Sequence, residues 1–151
     1  MCGIAGFLSL EQGVFATKTI AQAMCDVITH RGPDDQGLLV DGPLAMGMRR
    51  LSIIDLAGGQ QPISNEDGTI SVIQNGEIYN FRELRAELER GGVAFRTTSD
   101  TEVIMALWER AGPAALARLR GMFALALWDD RRRALIVARD PFGIKPLYYA
   151  L

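Results

Sequence analysis

Met122-Phe123-Ala124-Leu125-Ala126-Leu127-Trp128 is an unbroken apolar run, with no polar residue to mark a wet face. A half-buried strand alternates polar and apolar residues with a period of two, whereas a strand covered on both faces does not. Residues 122–128 therefore predict a strand sandwiched between two layers. Ala134–Ala138 pairs with it across a turn at Asp129–Arg133, where two acids and three arginines read as solvated. Further short strands are expected near Ile4–Phe7, Leu38–Val40, Leu44–Met48 and Ile70–Ile73, and Arg49–Leu56 continues as an extended apolar segment. Helices fall in two places. Thr17–Thr29 carries Ile20, Met24, Val27 and Ile28 at helical spacing. Asn80 with Glu83 caps a helix that places Phe81, Leu84 and Leu88 on one face. Ser99 with Glu102 repeats the cap ahead of Val103, Leu107 and Ala111, with Ile104 and Trp108 beside them, and that helix closes at Gly112-Pro113. A short helix follows from Pro113 to about Arg120. No regular β-α-β alternation is present, which excludes a doubly wound sheet and predicts an α+β architecture of sheets covered by helices.

Two stretches are ambiguous locally. Asn75-Gly76 is a hairpin signal, but the cap at Asn80 leaves no room for a second hairpin strand. A strand–loop–helix passage is the better reading, with Asn75 and Gly76 at the strand's mouth. Ala57–Asp67 reads as a loop, and Arg139–Pro146 as a structured turn leading into a strand at Leu147-Tyr148-Tyr149.

Composition narrows the class. The chain has 151 residues, 48% of them hydrophobic and 23% charged, as in one globular domain. A net charge of −2 gives no reason to expect nucleic acid or an anionic membrane as partner. Two cysteines and one histidine are too few for a structural zinc site or a disulfide scaffold, so no metal is expected. Cys25, inside a helical pattern, reads as a buried thiol. No run reaches the ~18 apolar residues of a membrane span and no leader pattern opens the chain, so the reading is cytoplasmic and reducing.

That compartment matters for Met1-Cys2-Gly3-Ile4-Ala5-Gly6-Phe7. If Met1 is removed, Cys2 carries a thiol and a free α-amine on one residue, and the amine can serve as base for the thiol. Their reference pKa values, roughly 8.5 and 7.7–8.0, lie close enough for easy proton transfer. From this stretch alone a catalytic and an incidental cysteine are both open.

Six motifs carry a resemblance: Met1–Gly6, His30-Arg31-Gly32-Pro33-Asp34, Arg50-Leu51-Ser52-Ile53-Ile54-Asp55, Asn75-Gly76-Glu77-Ile78-Tyr79-Asn80, Ser99-Asp100-Thr101-Glu102-Val103, and Arg139–Tyr149. In this order they resemble the glutaminase domain of glutamine-dependent asparagine synthetases, class II glutamine amidotransferases among the N-terminal nucleophile hydrolases. The resemblance implies a four-layer αββα fold, two packed antiparallel sheets between helical layers. It also implies roles. Cys2 would be the nucleophile and its α-amine the base, with the Asn75 side chain and the Gly76 N–H forming an oxyanion hole. Arg50 would hold the α-carboxylate of L-glutamine and Asp100 its α-ammonium, with Glu77 and the Ile53 carbonyl completing that end. Arg49 reads as a surface arginine, and His30 as part of an architectural turn rather than a partner for Cys2.

The family's glutaminase domain continues beyond residue 151, and no Ser-Gly-Gly-x-Asp-Ser pyrophosphate loop is present. Residues 1–151 are thus expected to be a truncated glutaminase domain without the synthetase domain. Glutamine hydrolysis here would need no cofactor, and ATP and magnesium would belong to a synthetase domain or subunit that receives the ammonia. A homodimer is possible. Three alternatives stay open: a related enzyme amidating another carboxylate, a glutamine-binding module without turnover, or a structural partner of a synthetase.

Overall fold

The computed structural model describes residues 2–11, 13–51 and 59–151. Seven strands form two antiparallel sheets among the described residues. One is three-stranded, with β1 (Gly3–Leu8), β3 (Leu44–Arg50) and β2 (Asp35–Asp41) in the order β1-β3-β2. The other orders β4 (Ile63–Ser64), β5 (Ile70–Ile78), β6 (Gly121–Asp129) and β7 (Ala134–Arg139) as β4-β5-β6-β7. The helices are α1 (Lys18–Val27), α2 (Phe81–Arg90) and α3 (Asp100–Ala111), with 3-10 turns at Thr29–Arg31 and Gly112–Arg118.

Strand alternation explains the layers. On β3, Leu44, Met46 and Met48 meet Ile73 of β5 and Ala126 and Trp128 of β6 in the seam between the sheets. The odd residues Phe123, Leu125 and Leu127 of β6 turn the other way, onto α2 and α3. The apolar run at 122–128 is thus sandwiched as its composition requires, and Trp128 Nε1 reaches across the seam to donate to Asp41 Oδ2 at 2.9 Å. α1 covers the outer face of the three-stranded sheet through Ala21, packed with Ala16 and Ala45. The result is helix, sheet, sheet, helix, the α+β four-layer arrangement expected.

Several local expectations are corrected. α1 buries Ala21 and Cys25, while Ile20 and Val27 are 49% and 76% exposed. Small residues win that face because the helix sits close on the sheet: a Cβ on Gly47 would lie 2.5 Å from Cys25 Sγ. The Cys25 thiol is buried as expected, and that burial pushes its pKa up. α3 is buried on every side from Asp100 to Trp108 rather than along one stripe. The short helix expected after it is present as a 3-10 helix over Gly112–Arg118. Asn80 precedes α2 but makes no side-chain cap; its amide instead donates to Arg118 O and accepts from Arg120 N, both at 3.0 Å. Ser99 does cap α3, accepting from Thr101 N at 3.2 Å, whereas Glu102 reaches back to the Arg96 and Thr97 amides. Ala57–Asp67 contains the two-residue β4. Residues 147–149 form no strand, and Tyr148 is 90% exposed.

Candidate active site

The same alternation collects the candidate side chains at one end of the seam. Counting along β3 from Leu44, the fourth inward position is Arg50; along β5 from Ile73, the next are Asn75 and Glu77. Cys2 immediately precedes β1 with the parity of Ile4 and packs on the same seam cluster. These four, with Gly76 and Asp100, line a single cavity of about 140 Å³. Sites for larger ligands run to roughly 300–1,000 Å³, so this one is on the scale of an amino acid. His30 is exposed and does not line it. Met1 and Ile53 lie outside the described residues.

Cys2 and Asp100 are held by their surroundings. Cys2 Sγ is fixed by the end of β3, where Leu51 N donates to it at 3.3 Å and Sγ lies 3.5 Å from Leu51 O. Arg50 is 5% exposed and Asp100 4% exposed, so two opposite charges are sunk in one cavity wall. Buried charges are costly unless partnered. Asp100 opens α3, where the helix dipole favours an anion, and its Oδ2 accepts from Ile78 N at 2.8 Å and from Gln74 Nε2 at 2.9 Å. Arg49, expected at the surface, is half-buried and clamps β2 and β3: its Nε donates to Gly32 O at 3.1 Å and its NH1 to Gln36 Oε1 at 2.7 Å.

Asn75 and Gly76 do not lie in a loop. β5 runs on through them to Ile78, paired with β6 in the register Asn75↔Ala124 and Gly76↔Phe123. Gly76 sits at φ +143°, and a Cβ there would lie 2.0 Å from Met122 O, so only glycine fits. The other edge of β5 is covered by β4 only at Ser71 and Val72. Side chains take over the neighbouring even-numbered amides: Ile70 N donates to Asn65 Oδ1 at 2.9 Å, Gln74 N to Gln61 Oε1 at 2.6 Å, and Ile78 N to Asp100 Oδ2. In an antiparallel strand alternate N–H groups face the same edge, which directs Gly76 N–H outward between the last two.

Among the cavity residues that escaped the sequence reading are Leu51, Gln74 and Lys145. Leu51 contributes backbone atoms, which no side-chain pattern marks. Gln74, 2% exposed, sits in a strand otherwise apolar on that face, and a glutamine among apolar residues was the available signal. Lys145, 4% exposed, is carried in by the 139–146 turn. Asp140 organises that turn by accepting from Phe123, Phe142, Ile144 and Lys145 amides at 3.0–3.2 Å. Burial works against its charge, but these four donors outweigh it and hold the carboxyl below the usual range. Among the described residues no three His, Cys, Asp or Glu side chains gather as metal ligands, and no helix is long and apolar enough to cross a membrane.

Comparison with known proteins agrees with this geometry. A family model for a glutamine amidotransferase domain matches residues 1–151. The chain is 46% identical to asparagine synthetase [glutamine-hydrolyzing] 2 of Bacillus subtilis, over 99% of its own length and 20% of the relative's. It is 49% identical to asparagine synthetase [glutamine-hydrolyzing] 1 of the same organism, covering 99% and 24%. Amidase chyE of Penicillium rubens is 40% identical, covering 100% and 24%. Among solved structures, glutamine phosphoribosylpyrophosphate amidotransferase from B. subtilis superposes with a TM-score of 0.55 at 30% identity, over 69% of this chain and 24% of that one. The chain spans a fifth to a quarter of the length of the curated relatives cited.

Proposed function

The chain belongs to the glutamine amidotransferase domain family, and we propose that it hydrolyses the side-chain amide of L-glutamine to glutamate and ammonia through Cys2. The observation that carries this reading is the convergence of Cys2, Arg50, Asn75, Gly76, Glu77 and Asp100 on one amino-acid-sized cavity. Arg50 receives the α-carboxylate as a forked, charge-assisted pair, and Asp100 and Glu77 receive the α-ammonium, with the Ile53 carbonyl as a further acceptor. Opposite charges at fixed separation select a zwitterion and point its carboxamide at the sulfur.

Removal of Met1 turns the Cys2 nitrogen from a peptide amide, which cannot accept a proton, into an amine, which can. The amine takes the thiol proton and the thiolate attacks the carboxamide carbon. Negative charge moves to the amide oxygen, where the Asn75 side-chain N–H and the outward Gly76 N–H stabilise it. The C–N bond breaks as the protonated amine passes its proton to the departing nitrogen, leaving ammonia and a thioester on Cys2. Water, deprotonated by the same amine, hydrolyses the thioester to glutamate and restores the thiol. No step calls for a cofactor.

The ammonia is destined for an ATP- and magnesium-dependent synthetase domain or subunit, with asparagine from aspartate as the favoured product. Similarity to an amidase as well as to asparagine synthetases keeps another acceptor carboxylate as the second reading. Residues 1–151 act as the glutaminase part of that assembly, in the cytoplasm, and a homodimer is compatible with it. A coupled glutamate and ammonia assay tests the chemistry. Equal release of both from the processed chain supports it, and release retained after Cys2→Ala overturns it.

A further inference from the structure

Gln74 brings to the cavity wall a buried acceptor whose hydrogen bonding is incomplete. Its backbone N donates to Gln61 Oε1 at 2.6 Å, and its Nε2 donates to Asp100 Oδ2 at 2.9 Å. Gln61 in turn is anchored by its Nε2 to Thr101 Oγ1 at 3.1 Å, so the chain of contacts ends on α3. Gln74 Oε1 is buried and has no partner among the described residues. Turning the amide over would not help, because it would set an oxygen against the Asp100 carboxylate, two acceptors facing each other. The donor is therefore committed and the acceptor is left over. Buried acceptors are seldom left unmade without a reason, and this one belongs to a residue that lines the cavity. A ligand held in the cavity could supply the missing donor.

We propose that Gln74 is a recognition residue for the α-ammonium of the substrate, its Nε2 fixing Asp100 and its Oε1 accepting an N–H from the ammonium group. The assignment rests on the glutaminase reading and refines it. Hydrogen bonds to Asp100 from the described residues fall on Oδ2. A tetrahedral ammonium has three donors, and Asp100, Glu77 and Gln74 offer three acceptors, two charged and one neutral. A neutral third acceptor completes the shell without adding another buried negative charge.

The test is calorimetry on the chain carrying Cys2→Ala, which binds without turnover, with glutamine and with glutaramic acid, the same molecule lacking the α-amine. Gln74→Met keeps length and volume and removes both hydrogen-bonding groups. It is expected to weaken L-glutamine about ten- to a hundredfold, the loss typical of a hydrogen bond to a charged group. Glutaramic acid is expected to bind within about twofold of its affinity for the Gln74 chain, because one missing donor group leaves Gln74 nothing to recognise. Equal weakening of both ligands would make Gln74 a packing residue and overturn the assignment, as would no change in either. Gln74→Leu is the second variant, with the same expected split, and failure of both variants to fold would likewise overturn it. Absence of glutamine binding in the chain with Gln74 intact would instead remove the glutaminase reading itself.

Discussion

At Cys2 the sulfur accepts from a backbone amide, Leu51 N, and shares its cavity with Asn75 and Gly76 of β5, the proposed oxyanion donors. In the proposed mechanism the chemistry divides between residues that act on the transition state and residues that bind both ends of the zwitterion. Asn75→Ala removes one oxyanion donor and is expected to lower kcat by about 10²–10³ with KM little changed. Steady-state glutaminase kinetics would check it, and a drop confined to KM would reassign Asn75 to ground-state binding. Arg50→Lys keeps the charge and loses the fork, so KM should rise about tenfold while kcat stays within about threefold. In the sequence these side chains were marked by the order of the six motifs, since a lone thiol, arginine, acid or Asn-Gly does not name its role. Gln74 was not, because an uncharged amide in a strand says nothing until its donor is seen spent on Asp100 and its acceptor is seen left over.

At the scale of elements, β5 is where local signal and tertiary structure part. Asn75-Gly76 favours a turn in isolation, but nine residues of register with β6 hold the strand straight through it. Glycine is needed for the approach of Met122 O and for a φ of +143°, not for a hairpin. Gly76→Ala should therefore cost about 2–4 kcal/mol in thermal or denaturant unfolding, combining strained backbone with overpacking, and should not leave an active enzyme. The helices were legible as elements, yet the stripe assigned to α1 was the wrong one, because tight seating on Gly47 selects Ala21 and Cys25 over larger side chains. The 139–146 turn is set by Asp140. Its carboxyl has a folded-state pKa below the unfolded value near about 3.9, so its stabilisation is fully present above that pH and is lost as pH falls through the folded pKa. Melting temperature should hold between about pH 5 and 7 and decline below about 4. Asp140→Asn should lower it at neutral pH and flatten the decline, and an unchanged acid limb would exclude Asp140 as its source.

In the whole molecule, two sheets facing each other bring the first strand, the end of β3, β5 and the start of α3 to one end of the seam. The layered architecture was legible from residues 122–128, because a strand apolar on both faces needs a layer on each. Which residues would meet at the seam's end was not, because it depends on register and on side chains patching the open edge of β5. In the proposed mechanism the nucleophile is the chain's second residue, so anything retained ahead of it removes the base. A chain with residues uncleaved before Cys2 should lose kcat by about 10²–10⁴, the usual worth of general-base catalysis, while still binding glutamine. Intact-mass spectrometry after treatment with 6-diazo-5-oxo-norleucine tests the N-terminal nucleophile most directly. A mass lacking Met1 and carrying one adduct, mapped to Cys2, is the predicted result; an unmodified Cys2, or full labelling of chains that retain Met1, would contradict it.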